Sequence, residues 1–143
     1  AYDLMIGADG FFGRGLSDVN GTDLQPPPYF LYPEYENTIR LVETLNPETL
    51  SFTHYDLLTG EDIDVFVEES LSFAGEFETL ALELAEEGPI TLRAAIDETV
   101  RRRGSFGLDL DLAFPLSAHF RDLTDRGKLV ETTVDGRRAW EQV

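Results

Sequence analysis

Leu4-Met5-Ile6-Gly7-Ala8-Asp9-Gly10-Phe11-Phe12-Gly13 is the stretch on which the fold turns. Leu4-Met5-Ile6 suits a short buried strand, and Gly7-Ala8-Asp9-Gly10 is a flexible turn at its C-terminal end. Thr49-Leu50-Ser51-Phe52-Thr53 repeats the arrangement as a second strand, with His54 at its end. Between them, residues 11–28 are rich in Gly, Asn, Asp and Pro and read as a long irregular loop, the kind that often carries function. A helix is then predicted from Glu34 to Leu45, with Tyr35, Ile39, Val42 and Leu45 on one stripe and Pro33 near its start. Asn46-Pro47 stops it. Asp9 and His54 thus fall where layered folds gather functional groups, in loops after strands. Carboxylate and imidazole are both good ligands for Zn²⁺ or a harder divalent metal. Singly, each has an ordinary explanation: Asp in a Gly-rich turn forms the turn, and a lone His is a satisfied core or surface group.

Downstream, Thr59-Gly60-Glu61-Asp62 predicts a helix start with Thr59 as N-cap and carboxylates in the first turn. The helix is expected to run to about Glu87. Phe66, Phe73, Phe77, Leu80 and Leu84 recur at three- and four-residue steps, the spacing of a core face. Gly88-Pro89 ends it. Thr91 to Arg103 predicts another helix, closed by Gly104. Leu110 to Arg126 predicts a third, with Pro115 bending it or marking its true beginning. Lys128 to Thr133 and Arg137 to Gln142 alternate as strands around Val134-Asp135-Gly136, and Asp-Gly is a strong hairpin signal. Helix, helix, helix, β-hairpin is a winged-helix order.

Composition limits the classes. The chain has 143 residues, enough for one domain or two small ones, and 42% of them are apolar, which excludes a disordered acidic tail. There is no run of eighteen apolar residues for a membrane span. Ala1-Tyr2-Asp3-Leu4-Met5-Ile6 lacks the basic region of a signal peptide. With no Cys, thiolate metal sites and disulfides are excluded. The net charge is −17, with 28 acids, 11 bases and Lys128 the single lysine. Such self-repulsion is tolerable where salt screens it, since the Debye length falls to roughly 3 Å at 1 M. A cytoplasmic protein of an extreme halophile is the expectation, with an ordinary acidic, cation-binding protein as the alternative. Residues 1–88 hold nineteen acids against Arg14 and Arg40, whereas residues 89–143 hold nine of each sign. The shift marks a candidate boundary near Gly88-Pro89.

Gly7-Ala8-Asp9-Gly10-Phe11-Phe12-Gly13 resembles the Gly-Asp-Ala-Leu-Phe-Gly segment of the metallo-β-lactamase superfamily, with Ala8 standing where Gly is usual. Pro27-Pro28-Tyr29, the helix after it and Leu45-Asn46-Pro47-Glu48-Thr49-Leu50 resemble the next section of its glyoxalase II-like members. Phe52-Thr53-His54-Tyr55 is similar to their strand-end Gly-His-Gly element, with Tyr55 replacing the second Gly. Leu58-Thr59-Gly60-Glu61 and the long helix continue the likeness, and the tail resembles the winged-helix domain appended to many of these hydrolases. Nearly the whole chain is covered, in short motifs whose order and spacing agree.

The resemblance implies an α+β fold. Residues 1–88 would form the C-terminal half of an αββα sandwich, and residues 89–143 a winged helix whose first helix is the end of the 61–87 helix. It also implies that Asp9 corresponds to the carboxylate bridging two zinc ions, and His54 to the last histidine, on the second ion. Two cations roughly 3.5–4 Å apart need an anion between them, and a hydroxide beside it is the nucleophile. The superfamily's main signature, His-x-His-x-Asp-His plus another His, is absent, since His54 and His119 are the only histidines. The implied function is therefore the C-terminal part of a metal-dependent hydrolase of thioesters, esters or related small molecules. Alone, the chain is expected to bind no catalytic metal tightly and to be inactive. Its implied partner is a missing N-terminal half or another chain, and its bare sheet would also suit a homodimer.

Other residues carry plainer expectations. Arg14, in the loop after Asp9, is a candidate contact for an anionic substrate. His119 is expected to have a packing or surface role and Trp140 to pack; Arg101-Arg102-Arg103 suit pairing at a helix C-terminus, with phosphate contact as the less common alternative. A nucleic-acid-processing or winged-helix binding or dimerisation module is the alternative function. Asp109, Asp111, Asp122 and Asp125 would repel phosphates, so nucleic acid is not the favoured partner.

Overall fold

A computed structural model describes residues 3–143. Ala1 and Tyr2, where the signal-peptide reading begins, lie outside the described residues. The chain runs β1 (Met5–Ala8), β2 (Leu16–Ser17), β3 (Asp23–Gln25), α1 (Tyr32–Leu45), β4 (Thr49–Phe52), β5 (Leu58–Thr59) and α2 (Glu61–Glu86). Then come β6 (Ile90–Thr91), α3 (Leu92–Arg103), a 3-10 turn at Asp109–Leu112, α4 (Ala113–Asp125), β7 (Leu129–Val134) and β8 (Arg137–Gln142).

β1 and β4 pair in parallel, Met5 opposite Leu50 and Ile6 opposite Ser51, and β5 adds an antiparallel edge. Side chains alternate across this sheet. Leu50 and Phe52 are buried toward α1 and α2, whereas Leu4 and Ile6 remain 54% and 74% exposed on the other side. α1 connects the two strands because Pro33 sits in its first turn and Asn46 closes it in the left-handed region, at φ 45°. Tyr35, Ile39 and Val42 are its buried stripe, and Leu45 is half-buried.

Three expectations in this half need correction. The first strand is not buried as expected, because Leu4 and Ile6 lie on its open face and Met5 is only half-buried. Residues 11–28 are not wholly irregular, because β2 and β3 form a small hairpin within them. Its turn is built by Asp18, whose carboxylate accepts the Asn20 and Thr22 N–H groups at 2.8 and 2.9 Å. Those bonds hold the Asp18 carboxyl below its ordinary range. Thr59 does not cap α2. It pairs with Thr49 in β5, and α2 starts after Gly60, a residue at φ 54° with no capping side chain. Glu61, Asp62 and Asp64 in the first turn supply the favourable charge against the helix dipole instead.

α2 spans 26 residues and belongs to two cores. Its first half, from Ile63 to Val67, packs with Phe11, Tyr35, Ile39, Leu50 and Phe52. Its second half, from Phe73 to Ala85, packs with Ile96, Leu116, Phe120, Leu123 and Trp140. α3 is capped by the Thr91 hydroxyl, which accepts the Ala94 N–H, and ends at Gly104. Pro115 lies in the first turn of α4, where it marks the beginning and breaks nothing. β7 and β8 join through Asp135 and Gly136, both with positive φ (51° and 74°), the two-residue turn that strand twist favours. A third strand was not foreseen. Ile90 and Thr91 pair with Trp140 and Ala139, giving the sheet order β6-β8-β7. Trp140 stacks on Phe120 with centroids 4.6 Å apart and planes 6° from parallel.

The arginines at the end of α3 reach α2. Arg102 contacts Glu98, Glu87 and Glu83 at 2.7, 2.6 and 3.4 Å, and Arg103 pairs with Glu76. Hydrogen bonds from Arg101 and Arg102 pull the Glu98 carboxyl down to about 2. Arg126 likewise ties α4 to Glu78 at 2.7 Å.

Candidate metal centre

Gly7 brings the first strand close to the second. A Cβ at this position would lie 2.1 Å from the Phe52 ring, so only glycine permits the approach. The next residue, Ala8, adopts φ 45°, a left-handed conformation that costs an L-residue about 1–2 kcal/mol. Gly10 N–H donates to the Gly7 carbonyl at 2.8 Å, and Thr53 N–H donates to the Ala8 carbonyl at 3.2 Å. This tight turn presents Asp9 beside the end of β4, where the chain leaves the sheet at His54. Ala8→Gly removes the strained methyl and is expected to raise stability by about 1 kcal/mol. Urea unfolding would measure this, and a loss of stability would show that the turn is not strained.

The structure brings the two sequence-derived ligands together. His54 Nε2 lies 3.5 Å from Asp9 Oδ1, with the side chains 45% and 61% exposed. The imidazole stacks on one side against the Phe12 ring, centroids 5.7 Å apart and planes 28° from parallel. Tyr55, standing where the resemblance calls for glycine, secures the adjoining loop. Its hydroxyl lies 2.5 and 2.8 Å from the Phe12 and Gly15 carbonyls, and burial pushes it up to about 12. The substitution is therefore used structurally: Tyr55 anchors the segment that supports His54.

Arg14 is placed elsewhere. Its guanidinium lies 4.7 Å above the Phe73 ring and reaches Glu76 Oε1 at 3.4 Å, so it is engaged with α2. His119 is fully buried, with Nε2 2.8 Å from the Tyr29 hydroxyl and Nδ1 without a hydrogen-bond partner among the described residues. Desolvation, helped by Arg126, pulls His119 down to about 3, and burial pushes Tyr29 well up. The pair joins the proline-rich loop to α4. Sequence reading gave His119 a packing or surface role, left its full burial open and did not find Tyr29 as its partner, 90 residues away.

The donor set can be tested against zinc. Two donors about 2.0–2.1 Å from one tetrahedral ion sit roughly 3.3–3.5 Å apart. The Asp9–His54 separation of 3.5 Å falls at that spacing, and the donor types suit the metal. The number does not. No group of three or more His, Cys, Asp or Glu that could hold a metal occurs among the described residues. By themselves the two donors do not make a coordination sphere. Beside it, an open groove of about 260 Å³ runs from Asp9 and Phe12 past Pro28 to Phe30. Nothing in the sequence pattern pointed to that groove, apart from the stiff run Pro26-Pro27-Pro28.

No family model matches the sequence, and no curated protein matches it significantly. Solved structures do match the fold. A β-lactamase domain protein from Burkholderia ambifaria aligns over 98% of this chain and 41% of its own, with TM-score 0.74 and 16% identity. A metallo-β-lactamase family protein from Thermus thermophilus aligns over 99% of this chain and 42% of its own, with TM-score 0.69 and 14% identity. The chain thus has the fold of part of a metallo-β-lactamase domain protein, and it spans about two-fifths of the length of these structures.

Proposed function

We propose that this chain is the C-terminal part of a metal-dependent hydrolase in which Asp9 and His54 are two ligands of a dinuclear zinc centre. The observation that carries the reading is the 3.5 Å Asp9–His54 pair at neighbouring strand ends, within a metallo-β-lactamase-like fold. The substrate class is a thioester, ester or related activated acyl compound. Bound zinc would supply a nucleophilic hydroxide near neutral pH and polarise the scissile carbonyl. The chain's own residues do the positioning. Asp9 and His54 would hold the zinc, Phe12 stacks on the imidazole, and Tyr55 fixes the loop beneath it.

The remaining ligands come from a partner, the N-terminal half or another chain. Parallel strands are normally covered on both faces. Here the β1–β4 pair is covered by α1 and α2 on one face and leaves Leu4 and Ile6 exposed on the other, which suits a second layer. Residues 89–143, with the end of α2, are read as a winged helix that serves as a dimerisation element or a wall of the active-site entrance. Binding of nucleic acid is disfavoured, because Asp122 and Asp125 lie on α4 and the α3 arginines are spent on Glu76, Glu83, Glu87 and Glu98. Among the described residues no helix is long and apolar enough to cross a membrane, and the charge of −17 fits a high-salt cytoplasm.

Coexpression with a polypeptide carrying the His-x-His-x-Asp-His half is expected to restore zinc-dependent thioester or ester hydrolysis. Asp9→Asn or His54→Ala should lower the rate by at least ~100-fold. A restored rate indifferent to both substitutions would remove these residues from the metal centre.

A further inference from the structure

Phe30 and Leu31 are apolar, 68% and 44% exposed, and set between the Asp9 turn and the last strands. Phe30 is held in place. Its ring meets Phe114 edge-on at 4.9 Å, and it follows Pro26-Pro27-Pro28 and the buried Tyr29. Three grooves meet at these two residues. The first is the groove from Asp9 and Phe12, which ends at Phe30 and Leu31. The second passes from Leu31 and Tyr32 to Ala118 and Arg121 on α4. The third, about 540 Å³, runs from Phe30 past Arg121 to Trp140 on β8. Phe30, Leu31 and Arg121 are each shared by two of them, so the three form one track from the metal-ligand pair to the C-terminal unit.

Charge selects the occupant. The rims carry Asp9, Glu34, Asp122, Asp125 and Glu131 against Arg121 and Arg138, and Glu131 holds Arg138 at 3.2 Å. With a chain charge of −17, an anion is repelled along the whole track. Its floor is aromatic and aliphatic, and burying it favours an uncharged apolar chain. We propose that the track binds the apolar acyl group of the substrate on Phe30 and Leu31, with its reactive end toward Asp9. The proposal rests on the acyl-hydrolase reading for the nature of the substrate, but acyl binding itself needs no metal.

The test is an NMR titration of the ¹⁵N-labelled chain with octanamide and, separately, octanoate, at the lowest salt at which its amide spectrum remains that of the folded chain. Trp140 is the only tryptophan, so its indole N–H reports the far groove alone. Octanamide is expected to shift the Phe30 and Leu31 amides and the Trp140 indole saturably, and to bind at least about fivefold more tightly than octanoate. Phe30→Ser with Leu31→Ser should weaken octanamide about fivefold or more, whereas Leu41→Ser, at an exposed site on α1, should not. Equal binding of the two compounds, no saturable shift, or indifference to the double substitution would overturn the proposal. So would a sedimenting dimer that Phe30→Ser dissociates and octanamide leaves unbound, which would assign the face to a second copy. Failure here beside restored hydrolysis removes the track alone. Octanamide binding beside failed complementation removes the hydrolase instead.

Discussion

Lowering the pH from 6.5 to about 3 is expected to destabilise the chain by as much as about 4 kcal/mol through His119 alone. The folded state holds this imidazole neutral because it is buried and Arg126 lies nearby. Its folded pKa, about 3, lies below the ordinary 6.5, so between those values the unfolded chain binds the extra proton. Stability from this group is therefore fully present above 6.5 and is lost progressively as the pH falls to 3. Among the described residues no hydrogen-bond acceptor compensates the charge: Nε2 faces the Tyr29 hydroxyl, and Nδ1 faces none. The 28 acidic groups also titrate at low pH, and their neutralisation relieves self-repulsion, so the raw profile mixes opposing effects. His119→Gln retains a hydrogen-bonding group toward Tyr29 and does not titrate. The unfolding free energy of wild type minus that of His119→Gln, from urea curves at fixed salt, should fall steadily from pH 7 to pH 4, through zero if the substitution costs little at pH 7. A pH-independent difference would mean that His119 is not held neutral by burial. The consequence reaches the candidate groove, because Tyr29 lies in the loop that carries Phe30.

Much of this architecture was legible from local rules. Asp135-Gly136 named the hairpin turn because a two-residue turn needs positive φ at both positions, which Asp tolerates and Gly accepts freely. Gly104 and Asn46 marked helix ends, and the phenylalanine spacing on α2 marked its buried face. What escaped were features decided by distant partners. β6 is two residues long and exists because β8 supplies its hydrogen bonds. Thr59 looks like an N-cap locally, yet its pairing with Thr49 takes it into the sheet. The Asp18 turn is local but organises a hairpin in a segment whose composition suggested none.

The candidate site divides the same way. Asp9 and His54 were found from the motifs around them, and the parallel register of β1 and β4 is what brings them together. Tyr55 was visible only as a departure from a pattern, and its two carbonyl partners in the loop explain the departure. Arg14 was suggested by its nearness to Asp9 in sequence, but Phe73 and Glu76, some sixty residues on, hold it on α2. The groove was beyond reach, because it is formed by the proline-rich loop, α1, α4 and β8 together.

Zinc affinity should be where the incompleteness of the site has its largest effect. A closed structural site has four ligands, and a catalytic site has three protein ligands with water in the fourth position. On the proposed reading Asp9 and His54 would supply two, from exposed side chains with few constraints beyond the Phe12 stack and the turn. Each missing ligand leaves a coordination position to water, so residues 1–143 alone are expected to bind zinc no more tightly than about 10 µM. The other carboxylates should contribute diffuse, salt-sensitive association that 1 M salt suppresses. The deciding measurement is calorimetric titration of zinc into the wild-type chain and into His54→Ala, both in 1 M KCl. The account predicts one weak site in the wild type and none in His54→Ala. Sub-micromolar binding, or weak binding that survives the loss of His54, would contradict the claim that Asp9 and His54 are part of a metal centre completed from outside this chain.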